Sequence, residues 1–171
     1  MSAIRSVLVI LAASAVASGC GRSPTASPQL STPTGIAADL SKQTGLLQCT
    51  SLPSSSVKQT IGLAGGTMQI GPHVLVVPPG ALVVPVTIAA KTAGGTGNAV
   101  ELKPAGLIFL TPAYLTLSYA NCNTAALTFS KEVAYTTDLL AIIAVVPSSD
   151  SPGAQQVTGR ISHFSNYAVA W

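Results

Sequence analysis

The sequence predicts an all-β protein with a single antiparallel β-sandwich domain, which follows a signal peptide and a flexible linker. Three observations predict this fold: short apolar and β-branched runs, turn residues between the runs, and a low content of charge. Charged residues make up 8% of the 171 residues, against about 25% in typical soluble domains. Ser, Thr, Gly, Pro and Ala take their place, as is common in exported sandwich modules.

Residues 1–19 have the layout of a bacterial lipoprotein signal peptide. Arg5 supplies the positive start, and residues 7–17 are apolar or small, a run too short for a bilayer span of about 20 residues. The small residues 17–19 then precede Cys20, which resembles a lipobox, in which the cysteine is lipidated and begins the mature chain. The first of these small residues is alanine where a lipobox usually has leucine. The alternative is an ordinary secretory signal followed by an incidental cysteine.

The segment 20–47 is predicted to be a Ser/Thr/Pro-rich tether, because such a composition cannot bury enough apolar surface to become ordered. The folded domain is predicted over 48–171, which is long enough for one hydrophobic core. We therefore expect an exported lipoprotein that is held on a membrane through Cys20. Gly21 is not the aspartate that favours retention at the inner membrane, so in a Gram-negative cell we expect the outer membrane or its periplasmic face.

The three cysteines support an exported domain. If Cys20 carries lipid, Cys49 and Cys122 form an even pair in an oxidising compartment and are predicted to make one disulfide. Two free thiols or a metal site are the alternatives. No Cys-x-x-Cys occurs, and neither His73 nor His163 has a nearby cysteine or paired carboxylate, so we expect no metal and no cofactor. His73 is predicted to be a half-exposed turn residue.

The strand pattern is that of a sandwich of short strands. Alternation is clearest at 85–89 and 114–119, which should present one face to a core and one to solvent. The run 139–146 could be a buried helix, but its β-branched content and the stop at Pro147 favour a strand. The predicted strands are residues 57–63, 67–70, 73–77, 84–91, 99–103, 114–119, 125–129, 133–136, 139–146, 155–162 and 166–171. The turns between them are marked by Gly65-Gly66, Gly71-Pro72, Pro78-Pro79-Gly80, Gly94-Gly95, Pro104-Ala105-Gly106 and Asp150-Ser151-Pro152-Gly153.

Two long segments, 59–90 and 104–130, contain no Asp, Glu, Lys or Arg. Strands of this kind aggregate when their edges are bare. We expect the prolines within these segments to break the edges, with Thr and Ser forming the polar face. A charge-free surface is also a candidate patch for binding a partner.

Four segments carry a family pattern: Gly65-Gly66, the strand 73–82 that ends in Pro-Pro-Gly-Ala-Leu, the Val-Thr-Ile at 86–88, and Phe-x-x-Pro with a Leu-rich strand in 107–115. Together they resemble the ZU-five domain, a β-sandwich of zonula occludens proteins, netrin receptors and ankyrins, over roughly residues 60 to 120. The resemblance implies a sandwich used for protein–protein contact. The partners of the animal members are not carried over to this chain.

The residue types in the Pro-Pro-Gly-Ala-Leu segment suit a tight turn at the end of a strand. Pro78-Pro79-Gly80 forces a tight turn in which Gly80 can take a positive φ, and Ala81 is small enough to pack beneath it. Pro112 fits the start of an edge strand.

Composition restricts the function. Five carboxylates, two histidines and no Gly-x-Ser-x-Gly leave few ways to build a hydrolase, so we expect no enzyme and no small-molecule substrate. A net charge of +3 spread singly argues against binding to nucleic acid. Three classes stay open: a binding module for an unidentified envelope protein, a self-cleaving module, and a carbohydrate-binding sandwich. The last is the weakest, because aromatic residues make up 5% of the chain and its one Trp is the last residue.

The tripeptide His163-Phe164-Ser165 carries the self-cleavage hypothesis. It is similar to the His-Phe-Ser at which related domains of death-domain and inflammasome proteins cut themselves. The resemblance implies that Ser165 Oγ attacks the Phe164 carbonyl while His163 acts as base. The simpler interpretation is a closing strand with Phe164 and Tyr167 in the core, His163 and Ser165 facing out, and a bulge at Asn166.

Replacing Cys20 by Ser is predicted to release the protein from the membrane fraction or to stall its processing. The reason is that acyl chains contribute about 0.8 kcal/mol per buried CH₂. Fractionation with fatty-acid labelling measures this, and the Cys49→Ser/Cys122→Ser variant, which keeps Cys20, is the control and should retain the label. Unchanged membrane partitioning of Cys20→Ser, together with an unlabelled parent protein, would show that the anchor hypothesis is wrong.

Overall fold

The computed structural model describes residues 45–125 and 127–171. The predicted signal peptide 1–19, Cys20 and the tether up to residue 44 lie outside the described residues. Residues 45–47, which the sequence assigns to the tether, pack against the domain, and Leu47 is fully buried in its core. An apolar side chain thus extends the packed domain ahead of residue 48.

The described residues form two antiparallel sheets that pack against each other, which confirms the predicted all-β sandwich. One sheet has six strands in the order β1-β4-β5-β11-β7-β8, and the other has five in the order β2-β3-β6-β10-β9. The strands are β1 (Ser56–Ile61), β2 (Gly66–Ile70), β3 (His73–Val77), β4 (Val86–Thr92), β5 (Ala99–Lys103), β6 (Ile108–Ser118), β7 (Glu132–Thr136), β8 (Ile142–Val146), β9 (Ser148–Ser151), β10 (Gln156–His163) and β11 (Asn166–Ala170).

The chain alternates between the sheets in a regular way. The hairpins β4–β5 and β7–β8 belong to the six-stranded sheet, and the hairpins β2–β3 and β9–β10 belong to the five-stranded sheet. Single strands β1, β6 and β11 complete the two layers. Every sheet therefore has its apolar face covered by segments that are close to it in the chain.

The predicted alternation is confirmed in the strands where it was clearest. In β4, Ile88 and Ala90 are buried while Thr87 and Lys91 are exposed. In β6, Leu115 and Leu117 are fully buried. Period-2 patterning thus sets which face of each strand enters the core.

The Pro-Pro-Gly-Ala-Leu corner has the geometry that its residue types predict. Gly80 has a φ of 77°, and Ala81 and Leu82 are buried. Gly65 has a φ of 71°, and a Cβ there would lie 2.3 Å from the Val77 carbonyl oxygen. Only glycine avoids that overlap, which accounts for the Gly-Gly that faces the corner.

The prediction of a strand over residues 125–129 is wrong, as far as the described residues 125 and 127–129 show. Residues 125 and 127–129 lie in the β6–β7 connection. Leu127 packs against the core and the Phe129 ring stacks on Trp171, with 6.1 Å between centroids. Leu127 and Phe129 therefore contact the rest of the domain from a loop, and the Phe129 ring stays 48% exposed.

Three further details differ from the sequence prediction. Strand β9 was not predicted, because its Ser-Ser-Asp-Ser sequence has low β-propensity and pairs only as an edge beside β10. The run 139–146 forms a strand only from Ile142, since 137–141 makes the β7–β8 turn. Pro112 lies inside β6 and not at an edge-strand start, at a point where the pairing of β6 with β10 is irregular, so its missing N–H breaks no ladder pair.

The disulfide predicted between Cys49 and Cys122 is present. It joins the start of the domain to the loop after β6 and closes 73 residues of chain. In the chain-entropy model a loop of that length corresponds to about 4 kcal/mol of stabilisation.

Candidate functional site

The His-Phe-Ser tripeptide lies where the chain crosses from one sheet to the other. Strand β10 ends at His163 and β11 begins at Asn166, so this crossover between the sheets consists of Phe164 and Ser165. Phe164 is buried and its ring meets the Phe109 ring edge-on, with 4.9 Å between centroids. A large apolar side chain therefore holds the crossover in place from inside the sandwich.

Backbone hydrogen bonds fix the carbonyls of this crossover. The Gly106 N–H donates to the Phe164 carbonyl at 2.9 Å, and the Leu102 N–H donates to the Ser165 carbonyl at 3.0 Å. The Tyr167 hydroxyl donates to the His163 carbonyl at 2.7 Å. Burial raises the pKa of the Tyr167 phenol above its usual value, which keeps the phenol as a donor.

The side chains proposed as base and nucleophile are not joined to each other. The His163 ring contacts the Ser162 hydroxyl through Nδ1 at 3.4 Å and meets the Tyr135 ring edge-on. Among the described residues, no hydrogen bond links it to Ser165. His163 and Ser165 are both partly exposed, and Phe164 is in the core as the simpler interpretation expects.

The bulge expected at Asn166 lies elsewhere. Asn166 pairs regularly with Glu101 and Thr136, whereas the register of β10 shifts between Ile161 and His163. The irregularity is accommodated before the crossover, because β11 is paired on both sides and has no room for an extra residue.

An exposed apolar surface covers one end of the sandwich. We call it the aliphatic surface, and its side chains are each at least 60% exposed: Leu63, Val83, Val84, Ile108 and Leu110. Two backbone bonds bring its segments together: the Gly80 N–H donates to the Leu63 carbonyl at 2.8 Å, and the Leu110 N–H donates to the Ala81 carbonyl at 3.0 Å.

The described chain begins at the opposite end of the six-stranded sheet. Gly45 and Trp171 exchange two backbone hydrogen bonds beyond the end of β11, at 3.1 and 3.2 Å. Strands β4 and β11 run parallel, since each is antiparallel to β5 between them. From the register, Val86 at the start of β4 and Ala170 at the end of β11 lie about 30 Å apart along the strand direction, at about 3.3 Å per residue.

His73 is buried, which corrects the prediction of a half-exposed turn residue. It is the first residue of β3, and its Nδ1 accepts a hydrogen bond from the Ser118 N–H at 3.1 Å. Within the described residues its Nε2 has no partner. Desolvation lowers its pKa to about 4, so the ring is neutral at pH 7. Its place between two apolar strands, invisible in local sequence, decides this burial.

A cleft with a volume of about 480 Å³ lies on the outer face of the six-stranded sheet. Its charged groups already have partners, since Asp138 accepts a hydrogen bond from the Asn166 amide at 2.7 Å and Glu101 is ion-paired. Glu101 bridges Lys91 at 2.6 Å and Lys103 at 2.8 Å, and the hydrogen bonds from Lys103 and then Lys91 hold the pKa of Glu101 below its usual value. Such exposed pairs contribute little to stability.

Within residues 45–125 and 127–171, no group of three His, Cys, Asp or Glu side chains could hold a metal ion. The same residues contain no helix with the length and hydrophobicity that a membrane crossing requires. No family model matches the chain, and no curated protein matches it.

Acidification is predicted to destabilise the domain through His73. Because its pKa is lowered from 6.5 to about 4 on folding, the unfolded state binds a proton first. The contribution of neutral His73 to the free energy of unfolding is therefore fully present above pH 6.5, and it is lost as the pH falls from 6.5 towards 4. Urea unfolding should give a free energy of unfolding about 2 kcal/mol lower at pH 5 than at pH 7.5.

The His73→Leu variant should be less stable at both pH values, because the Ser118 N–H loses its acceptor, but the difference between them should shrink. His163→Asn, which leaves His73 in place, is the matched control and should keep the wild-type difference. An equal pH difference in His73→Leu and wild type would show that His73 is not responsible.

Proposed function

We propose that the protein is a membrane-anchored lipoprotein of the bacterial envelope whose sandwich binds another envelope protein without catalysis. The lipobox-like segment before Cys20 supports the anchor, and the resemblance of residues 60–120 to the ZU-five domain supports protein contact. The aliphatic surface is the proposed contact site.

The convergence of the two charge-free segments carries this proposal. Leu63, Val83 and Val84 come from residues 59–90, and Ile108 and Leu110 come from 104–130. Large aliphatic side chains that remain exposed together are typical of interaction sites.

A protein partner fits this surface better than a lipid bilayer. Membrane-surface segments combine apolar residues with Lys, Arg or Trp, and the aliphatic surface contains none of these. The chain joins its tether at Gly45, about 30 Å along the strand direction from the start of β4. An anchored molecule can therefore direct the aliphatic surface away from the membrane.

Photo-crosslinking in cells tests this proposal. A photoreactive residue at Leu110 should capture one defined envelope protein, because Leu110 belongs to the aliphatic surface and is 69% exposed. The same group at Leu139, a leucine in the β7–β8 turn that is more exposed than Leu110, is the matched control and should not capture it. With the captured protein purified, Val83→Ser/Leu110→Ser should weaken binding at least tenfold, since burial of a Leu or Val contributes about 1.5–3 kcal/mol.

Equal capture from Leu110 and Leu139, or unchanged affinity of the double variant, would contradict the proposal. Circular dichroism of the double variant should match the wild type, because both side chains are solvent-exposed.

A second candidate function is one-time self-cleavage between Phe164 and Ser165. The Gly106 N–H that donates to the Phe164 carbonyl favours it, because an N–H at that oxygen stabilises the negative charge of a tetrahedral intermediate. Ser165 Oγ adds to the Phe164 carbonyl carbon, the peptide C–N bond breaks, and the Ser165 amine takes up the hydroxyl proton. Water then hydrolyses the ester, leaving a carboxylate on Phe164 and a free Ser165 hydroxyl.

Cleavage would leave the fragment 165–171 in place, because β11 is paired with both β5 and β7. A native gel would therefore show one species, and a denaturing mass spectrum is the measurement needed. It should show the fragment in wild type and Ser162→Ala, and not in Ser165→Ala. Only intact chain in the wild type after prolonged incubation at neutral pH would rule out self-cleavage.

A further inference from the structure

A second cavity lies at the end of the sandwich where β6 ends and β10 begins. It has a volume of about 290 Å³ and is lined by the β6–β7 connection, by Asp150 of β9 and by the β9–β10 turn. Ligand pockets in proteins range from about 300 to 1,000 Å³, so this one suits a ligand of a single ring. We call it the Asp150 cavity.

The polar wall of the Asp150 cavity is a fixed network. The Tyr119 hydroxyl donates to Asp150 Oδ1 at 2.7 Å, and the Lys131 N–H donates to Asp150 Oδ2 at 2.8 Å. Tyr119 and Lys131 are both buried. Burial, followed by the hydrogen bond to Asp150, raises the pKa of Tyr119 above its usual value. The carboxylate therefore keeps its position, and each oxygen retains a free lone pair.

Other polar groups of the Asp150 cavity can form further hydrogen bonds. Lys131 Nζ donates to the Phe129 carbonyl at 2.6 Å, which uses one of its three N–H groups. The side chains of Thr128, Ser130 and Gln155 line the cavity without a hydrogen bond to any other described residue. The lining thus offers both donors and acceptors.

Gln155 sits at the rim in an uncommon backbone conformation. Its φ is 51°, in the left-handed region that disfavours most side chains, and its carbonyl is held by the Tyr119 N–H at 2.8 Å. Strain of this kind is concentrated at functional positions.

An aromatic wall completes the cavity. Phe129 is 48% exposed, and its ring stacks on Trp171 at an interplanar angle of 17°. Phe129 and Tyr119 both line the cavity, and Trp171 stacks on Phe129, although aromatic residues are scarce and dispersed along the chain.

We propose that the Asp150 cavity binds one neutral sugar ring, either a free monosaccharide or one unit of a glycan. Lys131 and Asp150 contribute opposite charges, so the lining favours no net charge on the ligand. The hydroxyls of a sugar need donors and acceptors together, and its C–H face packs on an aromatic ring. The Asp150 cavity supplies both.

Trp171, the one tryptophan of the chain, makes binding measurable. Mature protein in detergent is titrated with glucose, galactose, mannose, N-acetylglucosamine and their methyl glycosides while Trp171 fluorescence is followed. Saturation-transfer NMR measures the same sugars independently. At least one neutral sugar should bind with a dissociation constant on the order of 1 mM, as expected for a small ligand with few contacts. Binding of the methyl glycoside as well indicates a glycan unit, and binding of the free sugar alone indicates a monosaccharide.

Two variants place the binding in the Asp150 cavity. Gln155→Gly removes the amide and suits the positive φ, so it weakens binding about fivefold or more while the melting temperature does not fall. Phe129→Leu removes the aromatic ring and should weaken binding similarly in the NMR measurement. Gln59→Ala, on the exposed edge of β1, is the matched control and should bind as wild type.

Three results would each overturn the proposal. The first is no binding of any neutral sugar at tens of millimolar. The second is preferential binding of the charged glucuronic acid. The third is unchanged binding by both Gln155→Gly and Phe129→Leu. None of them bears on the aliphatic surface, which lies at the opposite end of β6.

Discussion

The two sheets come into close contact where Gly159 of β10 faces Val133 of β7. A Cβ at Gly159 would lie 2.7 Å from the Val133 Cβ, which real side chains do not tolerate. The glycine therefore lets the layers come close enough for β7 and β10 to pack across the sandwich. The inner side chains on both sheets, such as Leu115 and Ile88, are then fully buried, and their burial is the main stabilising contribution in a domain with few charges.

This close packing also determines where polar groups can lie. His73 is buried in the core, where its Nδ1 accepts one hydrogen bond and its Nε2 has no partner among the described residues. Asp150 instead joins the two ends of the β6–β7 connection, because Tyr119 and the Lys131 N–H both donate to it. Scarce charge makes each buried polar contact more specific, since few alternative partners compete for it.

The two ends of the sandwich have different chemistry. The end at which β4 and β6 begin carries the aliphatic surface, whereas the end at which β6 and β11 finish carries the disulfide, the aromatic pair and the Asp150 cavity. The described chain begins at the second end, where Gly45 bonds to Trp171. A protein contact and a small-ligand contact can therefore occupy the same domain without competing for surface.

The sequence by itself determined the fold class, most strand positions, the Cys49–Cys122 disulfide and the turn at Pro78-Pro79-Gly80. These follow from local physics: period-2 burial, the φ freedom of Gly80 and the tendency of Cys49 and Cys122 to pair once Cys20 is set aside. Only the tertiary structure decided that residues 125 and 127–129 form a loop instead of a strand. It also decided that His73 is buried and that Leu63 and Leu110 lie at the same end of the sandwich. It also decided that Tyr119, Lys131 and Asp150 meet. Each of these depends on which segments the opposed sheets bring together across long stretches of chain, and no local pattern of residues encodes that pairing.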